Sequence, residues 1–140
     1  MSVQLKGGKD PNSPWREYTV VGIIGSRRRN TKEDEAAVRK MFESVAADFD
    51  LLSVPTAICS GGCPQGGDRF AQLIAQDYGL PMLIHYPNWK KYGKSAGFVR
   101  NNDIAHDSDI LIACVAPDRK GGTEDTISKF IHKEQICLVL

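Results

Sequence analysis

The sequence has no excess of charge of either sign, no long apolar run and no complete copy of the common nucleotide fingerprints. Each absence removes a class of function. Lys and Arg total 18 against 17 Asp and Glu, a formal net charge of +1. Sequence-blind affinity for a polyanion draws on a large positive excess, so a general nucleic-acid binder is argued against. No apolar run approaches the ~20 residues that cross a bilayer. The opening segment, MSVQLKGGKDPNSP, carries no apolar stretch of the signal-peptide kind, and a cytoplasmic protein without a membrane segment is expected. Cysteine is sparse, at 4 residues. Cys59 and Cys63 are close in sequence, but no second pair gives metal-ligand spacing. Cys114 and Cys137 lie inside apolar runs, as small core hydrophobes do. Free thiols in a reducing compartment, with no metal and no cofactor, are the reading that follows. The first apolar run continues from Gly22 as GIIGSR, which is not G-x-G-x-x-G, and no G-x-x-x-x-G-K-[ST] loop or nucleophile elbow occurs. NAD dehydrogenase and P-loop NTPase readings therefore fall.

What is present is an alternation of short apolar runs and amphipathic stretches. The 140 residues predict one domain, preceded by a polar lead-in over residues 1–16 that reads as a flexible tail. Residues 18–24 (YTVVGII) suit a strand buried on both faces. A helix follows, capped by Asn30 or Thr31, with Val38, Met41, Phe42, Val45 and Phe49 on one face. Strands are predicted over 56–59, 82–85, 110–116 and 136–140, and helices over 68–78, 96–105 and 123–132. Gly79 is placed to cap the second helix. Strands alternating with helices predict an α/β, Rossmann-like three-layer fold: a five-stranded, mainly parallel sheet with helices on both faces, over 17–140.

The irregular residues all fall just after strands. Gly25-Ser26-Arg27 follows the first, Ser60 to Asp68 (SGGCPQGGD) the second, and His85 to Trp89 the third. Pro117 to Thr123 (PDRKGGT) follows the fourth. In an open parallel sheet these positions share one rim, where ligands bind. Glycine lets the backbone approach a ligand closely, and N–H groups at a helix start act as anion donors. Gly121-Gly122-Thr123 and Gly66-Gly67-Asp68 each open a helix, and Arg27, Arg100, Arg119 and Lys120 supply positive charge. A carboxylate such as Asp68 suits ribose hydroxyls or a base N–H. The rim thus reads as a site for a nucleotide-like ligand. Plainer readings stand beside it. Gly61-Gly62 is also a turn, Asp68 also a helix cap, Arg27-Arg28-Arg29 also a solvated loop, and Trp89 also an anchor. His85 reads as structural.

Taken in order, GSR (25–27), SGG…GGD (60–68), W-x-x-Y-G-K-x-A-G (89–97), RN (100–101), DSDILIA (107–113) and GGT-x-D-x-I (121–127) resemble the SLOG superfamily, and within it the small stand-alone proteins called YspA or cpYpsA-related. The resemblance runs from about Tyr18 to Leu140. It implies a Rossmann-like fold with a nucleotide-type ligand. Gly25, Ser26 and Arg27 would line the phosphate or sugar side, Gly67 and Asp68 would hold sugar or base, Arg100 and Asn101 would close over the ligand, and Gly122, Thr123 and Asp125 would form a second phosphate loop. The superfamily also holds the Lonely Guy phosphoribohydrolases, whose P-G-G-x-G-T-x-x-E motif ends on a catalytic glutamate. Here that position is Thr126.

The expected function is therefore binding of a nucleotide, ADP-ribose or NAD-derived signal, as a sensor or sequestering protein. The expected ligand site comprises Gly25, Ser26, Arg27, Ser60, Gly61, Gly62, Gly66, Gly67, Asp68, Trp89, Arg100, Asn101, Gly121, Gly122 and Thr123. An N-glycosidase or phosphoribohydrolase using Asp68, Glu124 or Asp125 is the alternative, since cleavage of an N-glycosidic bond needs a carboxylate. Single-stranded nucleic-acid binding through Trp89 and Tyr92 ranks third. The apolar end, ICLVL, needs cover or an edge partner, and a homo-oligomer is expected.

Overall fold

The structure, a computed structural model, describes residues 15–131 and 136–140. Most of the expected lead-in and His132, the end of the last predicted helix, lie outside the described residues. Trp15, inside the expected lead-in, packs its ring edge-on against Tyr18 at 5.2 Å and joins the apolar core.

The chain runs β1 (Thr19–Gly25), α1 (Lys32–Asp48), β2 (Thr56–Ser60), α2 (Gly67–Tyr78), β3 (Met82–Ile84), α3 (Trp89–Tyr92), α4 (Ala96–Asp107), β4 (Ile110–Cys114), α5 (Gly122–Phe130) and β5 (Ile136–Val139). The strands lie in the order β3-β2-β1-β4-β5. Every pairing is parallel, so "mainly parallel" becomes wholly parallel. Val21 sits opposite Ile58 on one side and Ile110 on the other.

Side chains alternate across this sheet and bury apolar surface on both faces, which is why the strands read as continuous apolar runs. Val21, Ile23, Ile58, Ile110 and Ile112 meet Val38, Phe42 and Val45 of α1 and Phe70 and Ile74 of α2. Val20, Ile24, Ala57, Leu111 and Ala113 meet Ile104 of α4 and Ile127 and Phe130 of α5. Three layers result, as the alternation predicts. Met41 and Phe49, assigned to the inner face of the first helix, are only partly buried.

The start of α1 is fixed by a capping box: Asp34 N–H donates to Thr31 Oγ1 at 3.0 Å, and Thr31 N–H donates to Asp34 Oδ2 at 3.2 Å. Thr31, not Asn30, is the cap. Gly79 closes α2 in the left-handed region at φ 65°, as its position predicts. α3 was not predicted, because its four residues are too few to show a helical period. The fourth strand ends at Cys114 rather than at residue 116.

Successive connections step from β1 to β2 to β3 on one side, then return past β1 to β4. The order therefore reverses between β1 and β4. At such a point the loops after the two strands diverge and leave a crevice at their carboxyl ends.

Candidate functional site

That crevice is an open cavity of about 590 Å³, within the usual range for small-molecule sites. Ile24 to Arg28 wall it after β1, and Gly61, Gly62, Cys63 and Asp68 after β2. Tyr86, Pro87 and Trp89 come from the segment after β3, and Arg100, Asn101 and Ile104 from α4. Lys120, Gly121, Gly122, Thr123 and Thr126 close it after β4.

Asp68 reaches the cavity because α2 begins hard against β1. A Cβ on Gly67 would lie 2.1 Å from the carbonyl carbon of Ile24 and the nitrogen of Gly25, so only glycine allows this approach. The Asp68 carboxylate, 8% exposed, is then held from two sides. Ser60 Oγ lies 2.6 Å from Oδ1 and 2.8 Å from the Ile23 carbonyl oxygen, while Cys63 N–H donates to Oδ2 at 3.0 Å. Gly66 N–H donates to Asn30 Oδ1 at 2.8 Å, which ties the same turn to the loop after β1.

The loops after β1 and β4 are clasped across the crevice. Arg28 donates to both carboxylate oxygens of Asp118, at 2.9 and 2.7 Å, and to the Lys120 carbonyl at 3.2 Å. The bond from Arg28 holds the Asp118 carboxyl below its ordinary value, and Asp118 in turn raises the guanidinium. Among the described residues, no ion pair engages Arg27, Arg100 or Lys120. Those three cations therefore face the cavity without a carboxylate partner. Gly121, at φ 121°, precedes α5, and no side chain caps that helix start, so its first N–H groups point where an anion would sit. Trp89 and Tyr86 are 60% and 67% exposed at the opposite wall.

Twelve of the fifteen expected ligand residues are brought to this lining, Asp68 among them. Ser60, Gly66 and Gly67 are not; they stand behind it as support for Asp68 and for the α2–β1 contact. Of the expected catalytic acids only Asp68 lines the cavity. Glu124 pairs with Arg119, and Asp125 pairs with Lys129 at 2.6 Å while accepting from Asn101 Nδ2 at 3.1 Å. Tyr86, Pro87, Cys63, Ile104 and Thr126 also line the cavity and are not among the expected ligand residues. Tyr86 was signalled only by its place after a strand, Thr126 only as the position where the resemblance expects a glutamate, and Ile104 sits within a helix where the sequence marks nothing.

Among the described residues no helix is long and apolar enough to cross a membrane. The four cysteines are free, with Cys59 and Cys114 buried. No protein-family model and no curated protein matches the chain. In three dimensions it is similar to the molybdenum cofactor carrier protein MCP from Chlamydomonas reinhardtii, with a TM-score of 0.57 and 13% identity, over 87% of this chain and 76% of that one. At this identity the likeness concerns the fold, and the chain is an α/β protein of the Rossmann-like class.

Proposed function

We propose that this protein binds a nucleotide-derived small molecule at the carboxyl rim of its sheet, as a sensor or a sequestering protein of the SLOG type, in its YspA-like branch. One observation carries the reading: a single cavity joins three cations without carboxylate partners, an uncapped helix start and two exposed aromatic rings. A phosphate fits Arg27, Lys120 and the first turn of α5. A base fits the ring of Trp89, and ribose hydroxyls or base N–H groups donate to Asp68. The fold neighbour is a molybdenum cofactor carrier protein, and binding of a small molecule is the use proposed here for this rim.

Cleavage is the second reading, and Asp68 alone favours it, as the one carboxylate of the lining among the described residues. Glu124 and Asp125 are engaged by cations outside it. Binding without turnover is therefore preferred. A homo-oligomer belongs to the same proposal, since β5 stands at the sheet edge with Val139 exposed.

The test is titration calorimetry with AMP, ADP-ribose, NAD and the molybdenum cofactor, against adenosine as the phosphate-free control. Binding of a phosphate-bearing compound, weakened at least about tenfold without the phosphate, is expected. No heat from any of them at millimolar concentration would sink the reading. Free base released by wild type but not by Asp68→Asn would replace binding with hydrolysis.

A further inference from the structure

Asn101 was expected to touch ligand. Its environment gives it a second task. The side chain is 5% exposed and makes three bonds. Its Oδ1 accepts Arg100 Nε–H at 3.0 Å. Its Nδ2 donates to the Gly122 carbonyl at 3.2 Å and to Asp125 Oδ2 at 3.1 Å. The partners leave no choice of orientation. Arg100 can only donate, and the Gly122 carbonyl and the Asp125 carboxylate accept. One side must be an acceptor and the other a donor, and a short amide alone supplies both at this spacing.

The two groups so linked are the ones the anion site needs. Arg100 Nη1 donates to the Gly61 carbonyl at 2.7 Å, and among the described residues Nη2 has no partner, so it is left for a ligand. Gly122 is the first residue of α5, whose free N–H groups line the same cavity. Asp125 is anchored in turn by Lys129, whose Nζ donates to the Phe98 carbonyl at 2.8 Å and so returns the chain of bonds to α4. Resting on the binding reading above, we propose that Asn101 is the positioning residue of the anion site: its amide locks the Arg100 guanidinium and the first turn of α5 into one geometry, so that both face the same phosphate.

The test uses the full chain with AMP as probe, and the variants Asn101→Asp, Asn101→Leu, Arg100→Ala and Asn101→Leu/Arg100→Ala. Asn101→Asp keeps the acceptor for Arg100, loses the donor and sets a second carboxylate against Asp125. Asn101→Leu loses both. AMP affinity is expected to fall about tenfold or more in each Asn101 variant. The double variant should lose less than the product of its two single losses, because Asn101 acts partly through Arg100. A readout without ligand separates this from the binding reading: hydrogen exchange at Arg100 Nε–H, followed by NMR. Protection in wild type and Asn101→Asp, with loss in Asn101→Leu, supports the positioning role even if AMP proves not to bind. Equal exchange in all three proteins, or independent losses of affinity in the double variant, overturns it. Asp125→Asn in the Asn101→Asp background restores a donor–acceptor pair and should recover part of the affinity; no recovery would count against the proposal.

Discussion

Asp68 offers the sharpest separation of fold from chemistry. Its carboxylate accepts from Cys63 N–H at 3.0 Å and lies 2.6 Å from Ser60 Oγ. An amide fits the same cradle in one orientation. With Oδ1 toward Cys63 N–H, Nδ2 donates to Ser60 Oγ, and the Ser60 hydroxyl donates to the Ile23 carbonyl at 2.8 Å. No buried group is orphaned. The two bonds become neutral and lose about 1 kcal/mol each, but the cost of burying a charge is removed with them. Asp68→Asn should therefore stay within about 1 kcal/mol of wild type, a shift of about 4 °C or less for a chain of this size. Asp68→Ala deletes both bonds, each made to a charged acceptor. That costs about 3 kcal/mol or more, or about 9 °C or more. Scanning calorimetry on the two variants reads the difference. Equal destabilisation would refute the arrangement of Ser60 between Ile23 and Asp68. If Asp68→Asn folds as expected, any loss of nucleotide affinity belongs to the carboxylate itself.

Four further outcomes follow from the same geometry. Gly67→Ala drives a methyl group into the Ile24–Gly25 backbone, 2.1 Å away, which neither partner can vacate; a loss of about 3 kcal/mol or more is expected by urea unfolding, and a stable variant would show that α2 does not seat on β1. Thr31→Ala removes one half of the capping box and should cost about 1 kcal/mol. Burial pushes the Asp34 carboxyl up, but bonds from Arg29 and Thr31 outweigh it and hold the group below its ordinary value. Its contribution is thus complete above the unfolded carboxylate range and is lost as pH falls through the lowered folded value; Asp34→Asn should flatten the acid limb of the melting temperature, and an unchanged limb would contradict the pairing. Iodoacetamide should label Cys63, which lines the cavity, well before Cys59, which is buried and whose thiol burial pushes up. Bound nucleotide should slow Cys63 labelling, and first labelling of Cys59 would contradict the burial.

The fold was legible because its signals are local and repeated. Five apolar runs, the first four followed by glycines or polar residues, announce a sheet with one decorated rim; the Gly79 cap can be read from adjacent residues, and the cap of α1 can be narrowed to Asn30 or Thr31. What stayed hidden depends on contacts across long separations. Arg28 looked like a solvated member of an arginine run until it met Asp118, 90 residues on. Ser60 and Gly67 looked like ligand residues because they stand beside Asp68, yet their atoms face β1. Glu124 and Asp125 looked catalytic by proximity to a motif. Their cation partners lie close by: helical i,i+4 spacing pairs Asp125 with Lys129, while Arg119 reaches Glu124 from the loop before α5, at a positive φ that the sequence does not announce. Asn101 shows the limit most plainly, since its role arises from what sits on either side of one amide.

The central claim is that the rim between β1 and β4 is the ligand site. Titration of ¹⁵N-labelled protein with AMP tests it most directly. The account predicts that shifts concentrate on Gly25 to Arg27, Gly121 to Thr123, the Trp89 indole N–H and the Arg100 side chain. Shifts gathered instead around the second hollow, between Phe42, Ala46 and Tyr78, or spread evenly over the surface, would contradict it.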